Sequence, residues 1–256
     1  MMLVRALSAE LLKLKRTIAA KLVVLAPLSI VVLVLFLASQ SPFSTLGRMG
    51  VSNEWTALTR VTLMLWTLLL LPLYMTIESA LVAGLDHAEN QWKSLFARPV
   101  PRWTVYVAKF IVVYTMTSAG TVVLVCGVLI DGWLLPRLQA EYRFQPPVPV
   151  GPIFRMGLEV AGLAFLALAI QHWVSLRFRS FAVAVATGVM GMVVAYVAVI
   201  ATHPLGGWPQ YFPWALPMLV LSGRPHDLVT GLWVSGLFGL AAMGIGCWDF
   251  CRREVQ

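Results

Sequence analysis

Apolar and polar positions alternate along this chain on the scale of whole segments. Six apolar runs, at about 22–38, 57–83, 105–130, 157–176, 181–202 and 228–248, come near the roughly 20 residues that a helix needs to cross a bilayer. A different rhythm precedes them. Leu3, Leu7, Leu11, Leu14 and Ile18 recur every three or four residues, while Arg5, Lys13, Lys15 and Arg16 fall between them. The spacing predicts an amphipathic helix over 3–18 that lies on an anionic leaflet, as a contact element or as a simple topological anchor. The first run has a basic start and ends on Ala38-Ser39, as a signal peptide might be built. It is longer than such a region and five more runs follow, so it reads as an uncleaved span.

The segments between runs differ in kind. Residues 84–104 are the longest internal polar stretch on their side, with Asp86 and Glu89, Trp92-Lys93, and a Pro99-x-Pro101-Arg102 turn that biases Arg98 away from helix. Residues 131–151 carry Pro136, Pro146, Pro147 and Pro149 and predict an extended, stiff loop. Before the last run, the apolar piece 212–221 is too short to cross and is broken by Pro213 and Pro217. It predicts an interfacial or re-entrant segment with Trp208, Tyr211 and Trp214 at headgroup level.

Charge sets the orientation. With the N-terminus inside, thirteen of the Lys and Arg residues fall on the cytoplasmic side and six outside, which predicts both termini in the cytoplasm. The expected fold is therefore an all-α integral membrane protein: six transmembrane helices, an N-terminal amphipathic helix, and a re-entrant or interfacial segment before the last helix, in one membrane domain over 1–256. A composition of 59% hydrophobic and 12% charged residues agrees and excludes an ordinary soluble domain. The net charge of +8 lies at membrane ends, and no basic, aromatic-interleaved run points to nucleic acid.

Chemistry is sparse. No G-x-x-x-x-G-K-[ST], H-E-x-x-H or G-x-S-x-G occurs, so an ATP site would have to lie in another chain. Cys126, Cys247 and Cys251 lack C-x-x-C spacing and read as packing residues. Asp86, His87 and Glu89 are competent metal ligands, but on a helix His87 points about 100° away from Asp86. A solvated helix start explains them, and no metal is expected.

Glu78 and Glu159 fall within spans, where a carboxylate needs a partner. Arg155 is one turn from Glu159, and Lys109 lies at a depth similar to Glu78 on the neighbouring antiparallel span; both read as ion pairs or as cavity walls. Gln171 and His172 carry the same two readings. Paired glycines (Gly188 and Gly191, Gly236 and Gly239, Gly244 and Gly246) permit close helix contact.

The pattern E-x-x-W-K-x-L-x-x-x-P-x-x-R, on Glu89, Trp92, Lys93, Leu95, Pro99 and Arg102, is followed by Tyr106 and Lys109 at the head of a span. It resembles the first cytoplasmic loop of ABC-2 type permeases, especially the membrane subunits of bacitracin-resistance and lantibiotic-immunity exporters. The resemblance implies that Glu89, Trp92, Lys93, Pro99 and Arg102 couple to an ATPase. It implies the same for Glu10 and Lys13, the E-x-x-K of an elbow helix. It also implies a separate ABC ATPase, two copies, holding ATP and magnesium; a second permease chain, the same or a sister; and a multi-pass place in the bacterial plasma membrane. Peptide antibiotics, drugs or lipids are the implied cargo. The alternative from the residues alone is an ATP-independent six-span carrier or an intramembrane enzyme.

Overall fold

The computed structural model describes residues 2–15, 17–40, 53–88, 101–178, 180–201 and 208–252, without the side chains of 85–88. Every element among them is helical. Among the described residues, five helices are long and apolar enough to cross a membrane, and a sixth span results if the bent pair Val150–Leu163 and Phe165–Arg177 is counted as one.

The N-terminal helix α1 (Met2–Leu14) is shorter than its periodicity predicts. Thr17 ends it and starts the next: its hydroxyl donates to Leu14 O at 2.7 Å and accepts from Ala20 N at 3.3 Å, at the head of α2 (Ile18–Gln40). This hydroxyl satisfies one orphan carbonyl and one orphan amide at a helix junction. The packed face also differs from the expected stripe. Glu10 and Leu14 are buried and Leu7 packs on the core, while Leu11 and Ile18 are exposed.

The second span begins with α3 (Glu54–Leu65), whose Asn53 side chain accepts from Trp55 N at 2.9 Å. It passes through a π-helical turn (Trp66–Leu70) into α4 (Leu71–Ala88). Pro72 explains the turn: it has no amide to donate, and its ring would press on the carbonyl four residues back, so the helix widens just before it.

The central helix is α5 (Arg102–Leu138), packed against α1, α2, α4 and α6 (Val150–Leu163). At 37 residues it is about 55 Å long, well beyond the hydrocarbon core. It runs through Pro136, so the loop predicted at 131–151 is confined to 139–149. That loop closes the far end of α2. Tyr142 Oη donates to Ala38 O at 2.9 Å, Gln139 donates to Ser39 O, and both acceptors are carbonyls that the helix end leaves open.

The fourth span is broken where its sequence reads as one continuous run. Helix α6 and helix α7 (Phe165–Arg177) meet at Ala164 with a bend of 42°. Ser235, from α9 (Pro225–Arg252), fills the break. Its Oγ lies 2.8 Å from Gly162 O and 3.0 Å from Leu163 O, and it accepts from Leu166 N at 3.2 Å. A bend inside a bilayer is tolerated when a neighbouring helix satisfies the freed backbone groups in this way.

Helix α8 (Phe181–Ala201) packs on α4 and α7. Two 3₁₀ turns, Trp208–Tyr211 and Leu216–Leu221, follow it. Trp208 and Tyr211 are exposed as expected, but Trp214 is buried against Gly191, and residues 216–220 are buried against α6 and α9. The segment is thus packed within the protein; its apolar pieces found a protein surface rather than headgroups. Gly223, at φ 68°, then turns the chain into α9.

Close helix contact holds for part of the glycine set. A Cβ at Gly188 would strike Thr76, one at Gly239 would strike Phe165, and one at Gly246 would strike Tyr106. Gly236 and Gly244 face open space. Cys126 is exposed, so it is no packing residue, while Cys247 and Cys251 are half-buried.

Candidate functional site

One set of polar contacts lies around the start of α5, which packs against α1 on one side and the last helix on the other. Glu10 is the centre. Its Oε2 accepts from Lys109 Nζ at 2.6 Å and its Oε1 from Lys13 Nζ at 2.9 Å. Lys109 is fully buried and Glu10 is 5% exposed. Two opposite charges removed from water at this separation stabilise the arrangement only as a pair, so α1 is pinned to α5 at one register.

This is a correction to the expected partnership. Lys109 and Glu78 share a depth, but depth does not fix the side of the helix from which a side chain projects. Lys109 reaches α1, and among the described residues neither carboxyl oxygen of the fully buried Glu78 has a hydrogen-bond partner. The pair proposed between Arg155 and Glu159 is present, with Nε to Oε1 at 2.9 Å.

One turn before Lys109, the buried Tyr106 ring packs edge-on against His172 at 4.9 Å and lies 5.7 Å from Phe250. His172 Nε2 lies 3.3 Å from Tyr106 O, and Gln171 Nε2 donates to Ala184 O at 2.8 Å. Both residues of α7 are fully buried and tie it to α5 and α8. That makes them helix fasteners: they meet backbone carbonyls, and among the described residues Gln171 Oε1 has no hydrogen-bond partner.

Arg102 projects back to the last helix, with Nη1 donating to Cys251 O at 3.2 Å. A guanidinium on the final carbonyls of α9 satisfies an open acceptor and opposes the negative end of the helix dipole. Asp249, two residues earlier, accepts from Trp173 Nε1 at 3.1 Å and faces Arg177 Nε at 3.7 Å. Sequence reasoning missed Asp249 and Trp173. The signal was available: an acid near the end of the last run and a basic residue at the end of the fourth, both at the same side.

The polar segment 84–104 joins α4 to α5 at this end. Glu89, Trp92, Lys93 and Pro99 lie outside the described residues, as do the side chains of Asp86 and His87. Arg102, Glu10 and Lys13 are described, and the structure brings Glu10 and Lys13 together with Lys109 while Arg102 goes to α9. Among the described residues no group of three His, Cys, Asp or Glu is placed to hold a metal ion.

A helical membrane bundle with a short amphipathic N-terminal helix clamped to its central span is consistent with a permease fold. The sequence model of the family described as ABC-2 family transporter protein matches residues 6–201, and the chain belongs to that family. It is a multi-pass membrane subunit of an ABC transporter, of a family that works with an ABC ATPase. No curated protein and no solved structure matches the chain.

Proposed function

We propose that the chain is the permease of an ATP-driven exporter, with both termini in the cytoplasm of a bacterial cell and the α1 end of the bundle facing a separate ATPase. The observation that carries this reading is the Lys109–Glu10–Lys13 contact. It makes α1 and the head of α5 one mechanical unit, and the 89–100 segment is covalently joined to that unit. An ATPase pair that closes on ATP and magnesium would move the loop and the elbow together, and the motion would enter the bundle through its central helix. Two permease chains, identical or sister, would then alternate a shared cavity between the two faces. Resemblance to bacitracin-resistance and lantibiotic-immunity exporters supports a peptide antibiotic, drug or lipid as cargo.

The test is ATPase retained per permease in detergent, together with transport-linked ATP turnover. Trp92→Ala and Glu89→Ala are expected to leave the permease in the membrane at normal amounts. They are expected to weaken ATPase retention by about tenfold or more, as loss of an interface hot spot does. Trp103→Ala, at a half-exposed position on the first turn of α5, serves as the control and should retain the ATPase. Normal retention and turnover in both loop variants would favour an ATP-independent carrier instead, for which the fully buried carboxyl of Glu78 would be the first residue to examine.

A further inference from the structure

A groove of about 470 Å³ runs along the outside of the bundle between α5 and α6. Tyr114, Ser118 and Val122 form one wall and Phe154, Leu158 and Ala161 the other. Its floor is closed where Gly157 lies against Val125, since a Cβ there would meet that side chain. Leu158 and Val122 are exposed, so the groove opens sideways toward the bilayer and not into the bundle.

Its polarity is confined to one end. Arg155 lines the groove on the second turn of α6, near the 139–149 loop. At the other end the Tyr114 hydroxyl is committed to Ala161 O at 3.4 Å. From Tyr114 to Val125 the helix rises about 16 Å, roughly half of a 30 Å hydrocarbon core. The groove is therefore about one leaflet deep, apolar at the Tyr114 end, with Arg155 and its ion-pair partner Glu159 at the loop end.

Arg155 is only partly used. Its Nε donates to Glu159, while the side chain as a whole is 76% exposed. A guanidinium has five N–H donors, and the remaining four form a planar fork suited to two phosphate oxygens. We propose that this groove binds a phospholipid with an anionic headgroup, one acyl chain along α5 and α6 and the phosphate on Arg155. A second copy of this chain fits less well. An apolar helix laid along the groove would bury those donors without acceptors, whereas a lipid has its acceptors at the end where they are needed. The site does not depend on ATP coupling, and its test requires no ATPase.

The experiment is native mass spectrometry of the purified chain released from nanodiscs of equal phosphatidylglycerol and phosphatidylcholine, counting retained lipids. The wild-type chain is expected to retain phosphatidylglycerol over phosphatidylcholine by about fivefold, the ratio that one basic side chain gives at an anionic headgroup. Arg155→Gln should bring the ratio near one, and Arg155→Lys should keep most of it, because charge is retained while the fork is lost. Ser118→Phe, which fills the groove and leaves Arg155 in place, should lose the retained lipid altogether. No preference in the wild-type chain, or a preference that survives Arg155→Gln, overturns the proposal. So does a second-copy occupant, which would show as a disulfide-linked dimer when Leu158→Cys is oxidised in a chain whose three native cysteines are replaced by serine.

Discussion

Lys109 Nζ stands 2.6 Å from Glu10 Oε2, across 99 residues of sequence and with both side chains sealed from solvent. The contact joins the first helix to the central one and decides which face of α1 packs. Replacing either partner with alanine removes one charge-assisted contact of a buried group, while Lys13 stays on Glu10 in the Lys109 variant, so each single change is expected to cost about 1–3 kcal/mol. The double replacement removes both charges and should cost less than the sum of the singles by about 1–3 kcal/mol. Thermal unfolding in detergent measures the cycle. Glu78→Ala combined with Lys109→Ala is the contrast, and should be additive to within about 0.5 kcal/mol. Strict additivity in the Glu10 cycle would show that the clamp contributes nothing.

Ser235 is the second fastener. One hydroxyl serves two carbonyls and one amide at the break between α6 and α7, and it is fully buried. Ser235→Ala keeps α9 helical but takes the hydroxyl away from all three groups, so a loss of about 1–3 kcal/mol is expected. Ser235→Ala with unchanged thermal stability would mean that the broken span holds its own bend.

How much of this was legible in the sequence follows from what hydropathy can register. The apolar runs, the N-terminal helix and the Arg155–Glu159 pair are local, since each is fixed by residues within a few turns of one another. The break at Ala164 is not local. A hydropathy window over 157–176 sums apolar residues and cannot register that Ser235, some 70 positions later, supplies the hydrogen bonds that let the helix bend. The same limit governs Glu10. Its E-x-x-K pattern carries no sign that it lies on the packed face, because the azimuth of Lys109 depends on how two helices meet. Trp214 illustrates the reverse error. Aromatic residues near an interface read as headgroup anchors, and only the notch at Gly191 reveals that this one is packed inside.

Orientation is tested by two cysteines placed in an otherwise cysteine-free chain. Gln145 and Ser8 are both exposed, on the 139–149 loop and on α1. Gln145→Cys is expected to label in intact cells with an impermeant thiol reagent, and Ser8→Cys only after permeabilisation. The reverse pattern would put α1 outside the cell and remove the basis for an ATPase at that end.

Arg102 separates two roles that the sequence pattern merged. Its place at the end of E-x-x-W-K-x-L-x-x-x-P-x-x-R suggested a docking residue, but Nη1 donates to Cys251 O on the last turn of α9. A cation at a helix C-terminus contributes about 1 kcal/mol in a partly buried setting. If that is its task, Arg102→Ala should raise amide hydrogen exchange over 247–252 by about fivefold, because opening of that turn becomes easier by the same amount. ATPase retention should stay normal, since no docking contact has been removed. Asp249→Asn, which weakens the neighbouring contact to Arg177 while leaving Trp173 an acceptor, should raise exchange in the same stretch to a smaller degree. A docking role gives the opposite pair of results: retention falls and exchange at the end of α9 does not move. The pairing of the two readouts decides the matter, because a cap bond and a docking contact join the same guanidinium to different partners.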